Sequence, residues 1–267
     1  MTANCILERV AETKSTNDDL LERWRAGALI DPVARIARNQ TAGKGRAGRT
    51  WVAKPEDSLC FSMAFPFKRK PAELTGLSLL VGLAVISGIA RACDLSEATL
   101  HEAGMRLKWP NDLLINNTKL GGILIEGGQA KAGDPTWMII GIGINLHNAN
   151  AIEAGIGNSV GLKIGSLDQL LPAKAVLPDV EYLWLKLIAS LEHHLREFDQ
   201  HGFGIYQAQW KQWDAYLGKA VSISGAGNEP IYGLAQGIDQ AGALLLQQDN
   251  KKTIAIHAGD VSLRIQS

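Results

Sequence analysis

Between Pro32 and Pro55 the chain carries six cations, Arg35, Arg38, Lys44, Arg46, Arg49 and Lys54, and no acid. Three of them interleave with glycine in Gly43-Lys44-Gly45-Arg46-Ala47-Gly48-Arg49. Glycine lets backbone N–H groups approach an anion closely, and arginine offers paired donors to phosphate or carboxylate oxygens. The pattern reads as an anion clamp; the competing reading is a solvated basic loop. The same letters match GxGxxG, but Thr50-Trp51-Val52 does not open a helix. Lys68, Arg69 and Lys70 stand where a dinucleotide fold needs an acid. A P-loop is excluded because Gly43-Lys44 is followed by Gly45 rather than Ser or Thr.

A second cluster is Lys108-Trp109-Pro110-Asn111-Asp112, with Lys119-Leu120-Gly121-Gly122 following closely. A hairpin through Asn116-Asn117-Thr118 places Asn111, Asp112 and Lys119 near one strand end. Lysine there neutralises a phosphate or carboxylate, and aspartate holds a ribose hydroxyl or a metal ion. An exposed turn with an ordinary ion pair fits the letters equally well. Gly141-Ile142-Gly143-Ile144-Asn145 sets glycines inside an apolar run, which marks close approach of a ligand or of another backbone. Gly157-Asn158-Ser159-Val160-Gly161 matches a nucleophile elbow, but no strong strand leads into it and no helix follows. His101-Glu102 lacks the second histidine of a zinc motif, and His193 and His194 read as surface residues of a helix.

The elements that must position these clusters are legible in outline. The first segment reads as a strand and then a helix: Ser15-Thr16-Asn17-Asp18-Asp19, a capping residue with an acid three positions later, precedes Leu20, Leu21 and Trp24. Strands are expected over Val33–Arg38, Leu59–Phe65, Met105–Trp109, Leu113–Ile115 and Leu120–Glu126. Trp137 to Asn145 reads as a central strand, buried on both faces. Thr41 to Thr50 is expected to be a loop, and residues 147–178 loop with a short helix. The uncharged stretch from Leu74 to Ala90 is marginal in length for a membrane span and reads as a buried helix ending near Cys93. Val180, Leu183, Trp184, Leu187, Ile188, Leu191, Leu195 and Phe198 recur at helical spacing, and Tyr206, Trp210 and Trp213 suggest one more helix. After Gly218 the texture becomes short β runs punctuated by Gly or Asn, expected to form a small β-barrel. The fold class is therefore α/β (α+β), with domains at 1–214 and 215–267.

The 267 residues balance 27 Lys+Arg against 27 Asp+Glu and are 46% hydrophobic. That composition excludes wholesale disorder and does not supply the excess of cations that sequence-independent nucleic-acid binding needs. Cys5, Cys60 and Cys93 lie far apart without a CxxC pair, so neither a disulfide framework nor a zinc site is expected, which suits a reducing cytoplasm. Residues 1–10 mix Glu8 and Arg9 with short apolar runs and do not read as a secretory signal.

In order along the chain, five motifs resemble the biotin–protein ligase family. They are Ser15-Thr16-Asn17, the run from Gln40 to Trp51, Lys108-Trp109-Pro110-Asn111-Asp112, Lys119-Leu120-Gly121-Gly122-Ile123-Leu124, and Gly141-Ile142-Gly143-Ile144-Asn145. The tail, with Gly237-Ile238-Asp239 and Gly242-Ala243-Leu244-Leu245-Leu246, is similar to the family's small C-terminal domain. Each motif is moderately specific; the ordered set is highly so. The sequence departs from the family in carrying Lys44 where arginine is usual. About ten residues precede Ser15, too few for the DNA-binding helix-turn-helix of bifunctional members, so the monofunctional type is expected.

The resemblance implies a mixed-sheet catalytic domain, similar to class II aminoacyl-tRNA synthetases, followed by an SH3-like β-barrel. It implies ATP and biotin as substrates, with Mg²⁺ on the triphosphate and Asp112 as an optional metal ligand. It further implies that Ser15, Thr16, Asn17 and Gln40 hold the ureido end of biotin, and that Trp51, Gly122 and Gly143 wall its rings. Lys44, Gly45 and Arg46 would belong to a closing loop, mobile until an anion compensates its charges. Arg46 and Arg49 would face phosphate, and Lys119 would bind the carboxylate and then the acyl phosphate. Asp112 and Asn145 are candidates for the nucleotide side. The implied partner is the biotin carboxyl carrier protein of acetyl-CoA carboxylase. Neither a membrane nor a specific DNA partner is expected, and a homodimer stays open. The alternatives are a lipoate or octanoyl protein ligase, and a non-catalytic biotin-sensing or nucleic-acid-binding module.

Overall fold

The computed structural model describes residues 5–156, 163–171, 176–225, 229–259 and 261–265. The elbow-like run from Gly157 to Gly161 lies outside the described residues. In chain order the elements begin with β1 (Ile6–Thr13), α1 (Thr16–Arg25), β2 (Val33–Gln40), β3 (Gly43–Lys44), β4 (Thr50–Trp51) and β5 (Ser58–Phe67). Helices α2 (Leu77–Ala92) and α3 (Glu97–Glu102) follow, then β6 (Met105–Lys108), β7 (Asp112–Ile115), β8 (Thr118–Gly128) and β9 (Thr136–Asn145). Next are α4 (Ala149–Ile156), α5 (Val180–His201) and α6 (Gln207–Trp213). The chain closes with β10 (Ala220–Ser224), β11 (Ile231–Ile238), β12 (Leu244–Gln247), β13 (Thr253–Ile256) and β14 (Ser262–Ile265).

A seven-stranded mixed sheet in the order β1-β2-β5-β9-β8-β7-β6 forms the frame, and only β1 and β2 run parallel. β9 sits at its centre, as its apolar run requires. Alternation on β5 sends Leu59, Phe61, Met63, Phe65 and Phe67 into a core shared with α2 and α5. Every α2 residue but Ser78 and Arg91 is buried, which explains why the helix carries no charge before Arg91 although it is too short to span a bilayer. Among the described residues no helix is long and apolar enough to cross a membrane. The opposite face of the sheet meets α1 through Leu20, Leu21, Val33, Ala64 and Ile139. That helix covers only part of the face; the rest forms the floor of a cleft.

The β7–β8 hairpin turns at Asn116 and Asn117, both with positive φ (46° and 63°), the backbone that a two-residue hairpin turn of this hand demands. The glycine loop carries more regular backbone structure than its composition suggests. β3 pairs with β4, and a single 3₁₀ turn at Arg46–Gly48 joins them. The C-terminal strands form an antiparallel sheet in the order β13-β12-β11-β10-β14, whose end strands β13 and β14 are not paired among the described residues, so no closed barrel is seen. Trp109 secures this sheet to the first: its buried indole N–H donates to the Gly242 carbonyl at 3.0 Å.

Candidate active site

Strand register builds the floor of the cleft. Cys60 on β5 stands opposite Gly143 on β9, Gly143 opposite Gly122 on β8, Gly122 opposite Asp112 on β7, and Asp112 opposite Lys108 on β6. A neighbouring row runs Ser62, Gly141, Leu124. Small residues at the centre of the floor leave room above them, and charge gathers at the β6–β7 end. Trp51 is laid onto the gap at Gly143, where an added Cβ would fall 2.4 Å from the indole.

The polar end is the start of α1. Ser15 caps the helix by accepting the Asp18 N–H at 3.3 Å. Ser15, Thr16 and Asn17 are all buried and face the cleft. The Thr16 N–H donates to Gln40 Oε1 at 3.0 Å, and the Thr16 and Ser62 hydroxyls lie 2.7 Å apart. Asn17 Nδ2 donates to Glu126 Oε2 at 2.6 Å, while Asn17 Oδ1 is buried without a partner in the chain.

The cationic end centres on Asp112. Its Oδ1 accepts from Lys119 Nζ at 2.7 Å and its Oδ2 from Lys108 Nζ at 3.0 Å. Burial pushes this carboxyl up, but the ammonium groups of Lys119 and Lys108 outweigh it and hold it below the usual carboxylate range. Lys119 Nζ also stands 5.9 Å from the Trp51 ring centroid, so it overlooks the space above Gly122. Its backbone is clamped by the segment after α4: its N–H donates to the Lys163 carbonyl, and its carbonyl accepts from Gly165. Arg46 donates to Asn111 Oδ1 at 3.0 Å and to the Gly259 carbonyl, so the glycine loop touches the β6–β7 turn and the connection from β13 to β14.

Ser15, Thr16, Asn17, Gln40, Lys44, Gly45, Arg46, Arg49, Trp51, Asp112, Lys119, Gly122 and Gly143 all line this one cleft. Asn145 does not. It is 1% exposed and its Nδ2 donates to the Lys119 and Gly165 carbonyls, so it holds the backbone beneath Lys119. The loop's cations also differ from the expectation of uncompensated charges. Lys44 pairs with Asp18 at 2.7 Å, and Arg49 Nε donates to the Arg46 carbonyl at 3.1 Å. Asp112, with a lysine on each oxygen, does not fit a metal ligand. Among the described residues no cluster of three or more His, Cys, Asp or Glu side chains could hold a metal ion. Sequence reasoning missed Cys60, Ser62 and Glu126. The period-2 pattern of β5 and β8 was the available signal, since each lies on the strand face that also carries cleft residues.

The cleft is thus covered by a glycine- and cation-bearing hairpin, polar at one end and cationic at the other, an arrangement that suits a ligand with a polar head and an anionic tail. Residues 10–145 match the biotin/lipoate A/B protein ligase family, and residues 216–264 match the biotin protein ligase C-terminal domain. The chain is 34% identical over 250 residues to the bifunctional ligase/repressor BirA of Salmonella typhimurium, covering 94% of this chain and 72% of that protein. It is 33% identical over 256 residues to the biotin--[acetyl-CoA-carboxylase] ligase of Mycobacterium tuberculosis, covering 96% and 88%. A mutant biotin protein ligase from Aquifex aeolicus, solved with biotin, superposes with TM-score 0.74 at 26% identity over 98% of this chain and 99% of that one. The chain belongs to the biotin/lipoate A/B protein ligase family.

Proposed function

We infer that the chain is an ATP-dependent biotin–protein ligase. It activates biotin as biotinyl-5′-AMP and transfers the biotinyl group to a lysine of the biotin carboxyl carrier protein of acetyl-CoA carboxylase. The observation that carries this reading is the polarity of the cleft, with buried hydrogen-bonding groups at α1 and the Lys119–Asp112–Lys108 cluster across Gly122. In the first step a biotin carboxylate oxygen attacks the α-phosphorus of ATP and pyrophosphate leaves. In the second, the carrier amine attacks the acyl carbon, AMP leaves with the bonding pair, and the amine loses a proton. Both steps redistribute negative charge, so fixed cations lower the barrier without a protein nucleophile.

The residue roles proposed here are supported by the shared lining of one cleft. Ser15, Thr16, Asn17 and Gln40 take the ureido group, and Trp51, Gly122 and Gly143 pack the rings. Lys119 holds the carboxylate and then the acyl-phosphate oxygen, with Arg46 and Arg49 toward phosphate. Lys44 and Gly45 contribute to the loop, and Asp112 orients Lys119. Mg²⁺ arrives with the triphosphate of ATP as part of the substrate. The catalytic unit is taken as 1–214 and the small domain as 215–267, on the change to short antiparallel strands after Gly218. A cytoplasmic setting is supported by free thiols at Cys5, Cys60 and Cys93. Zero net charge gives no support for a DNA partner.

A lipoate or octanoyl ligand is disfavoured by the unpartnered Asn17 Oδ1, because an aliphatic tail brings no N–H to it. Pyrophosphate exchange into ATP, dependent on biotin and not on lipoate, is the test. Exchange driven equally by lipoate would overturn the assignment.

A further inference from the structure

We propose that Glu126 is a positioning residue that locks the Asn17 amide with its oxygen toward the cleft, so that the site demands an N–H donor from its ligand. The inference rests on the ligase reading above and deepens it. An amide side chain presents a donor at one end and an acceptor at the other, and which end faces a ligand is set by its other partner. Here that partner is Glu126 Oε2, 2.6 Å from Asn17 Nδ2. An ionised carboxylate only accepts, so the NH₂ end must face Glu126 and Oδ1 must face away from it. Oδ1 lies over the floor at Gly141, where an added Cβ would come within 2.7 Å of it.

Asn17 is 4% exposed, it lines the cleft, and its Oδ1 has no partner in the chain. A buried acceptor left unmet is costly, and a ligand N–H that reaches it removes that cost. The neighbouring groups do not carry the same information. The Thr16 and Ser62 hydroxyls, 2.7 Å apart, can each donate or accept and can turn to suit a ligand. Asn17 is held by a charge and cannot turn without setting its own oxygen against a carboxylate. Strand β8 supplies the geometry. Gly122 and Leu124 line the cleft, and Glu126, two residues further along the same face, reaches α1 instead. A ureido N–H satisfies the lock; an oxygen at the same position meets a lone pair.

The test compares wild type, Glu126→Gln, Asn17→Ala and the double variant in ATP–pyrophosphate exchange. The probes are biotin and the pair of biotin analogues in which one or the other ureido N–H is replaced by oxygen. The Glu126→Gln substitution keeps the size of the side chain but lets it donate as well as accept, so the Asn17 amide is free to turn. Glu126→Gln should raise KM for biotin about three- to tenfold, leave kcat within twofold, and cut the preference for biotin over at least one oxygen analogue by a similar factor. The double variant should match Asn17→Ala alone. A residue that merely supports the fold would lower kcat and thermal stability without changing the preference. Glu126→Ala, read in the same way, covers the case in which the glutamine variant does not fold. Unchanged KM and preference in an active, folded variant would overturn the proposal, as would an effect that multiplies in the Asn17→Ala background. Failure of the ligase reading looks different: wild type itself would show no biotin-dependent exchange.

Discussion

Replacing Lys119 with alanine separates the fold from the chemistry. The ammonium contacts Asp112 Oδ1 at 2.7 Å and overlooks the Trp51 ring. Removing one partner of a buried ion pair costs about 3–5 kcal/mol when the other charge is stranded. Asp112 is not stranded here, because Lys108 still donates to its Oδ2 at 3.0 Å. The Lys119 side chain is also 26% exposed, so water reaches the space it vacates. The loss of stability should therefore be nearer ~1–2 kcal/mol, a few degrees in Tm. Catalysis has no such reserve. Loss of a donor aimed at developing charge costs ~10²–10³ in rate. The assay is biotin-dependent exchange of labelled pyrophosphate into ATP at saturating substrates, alongside thermal unfolding. Lys108→Ala is the control: it removes the other half of the Asp112 pairing and leaves Lys119 in place, so exchange should fall by less than about tenfold. A folded Lys119→Ala enzyme within twofold of wild type, or a Lys108→Ala loss as large as that of Lys119→Ala, would show that Lys119 is not the donor to the developing charge.

Three further outcomes are expected. Gly143→Ala places a methyl 2.4 Å from the Trp51 indole and must displace it; KM for biotin should rise about tenfold or more, with ~1–3 kcal/mol of overpacking seen in denaturant unfolding. Arg46→Ala removes the contacts to Asn111 and Gly259, so calorimetry should show biotinyl-AMP affinity falling far more than biotin affinity. Asp214 has an unpartnered Oδ2, and burial pushes its carboxyl up from 3.8 to about 6. The folded state thus holds a proton that the unfolded chain releases, and this contribution is full below pH 3.8 and lost as pH rises through about 6. Asp214→Asn, which keeps an oxygen for the Tyr216 N–H, should gain stability over wild type across that window, of order 1–3 kcal/mol by pH 7; a difference that does not change with pH would count against it.

Many of the groups that share the cleft were legible because they sit in short motifs of polar, glycine and cationic residues. Ser15-Thr16-Asn17, the glycine loop and Lys119 are of this kind. β9 was legible as a central strand because Trp137 to Asn145 is apolar on both faces. What could not be read were partners far apart in the chain. Nothing near Asn17 announces Glu126, and nothing near Lys44 announces Asp18. Asn145 closes a motif that looks ligand-directed, yet the segment at Gly165 packs over it and engages its amide. Trp109 sits among the charged residues of its motif but serves as the anchor for the second sheet, a tertiary contact that local pattern does not encode.

The mass of a biotin carboxyl carrier domain incubated with this protein, biotin, ATP and Mg²⁺ reads the transfer itself. The carrier should gain one biotinyl group, dependent on ATP and absent with Lys119→Ala. An unmodified carrier in the presence of the folded wild-type protein and all substrates would contradict it.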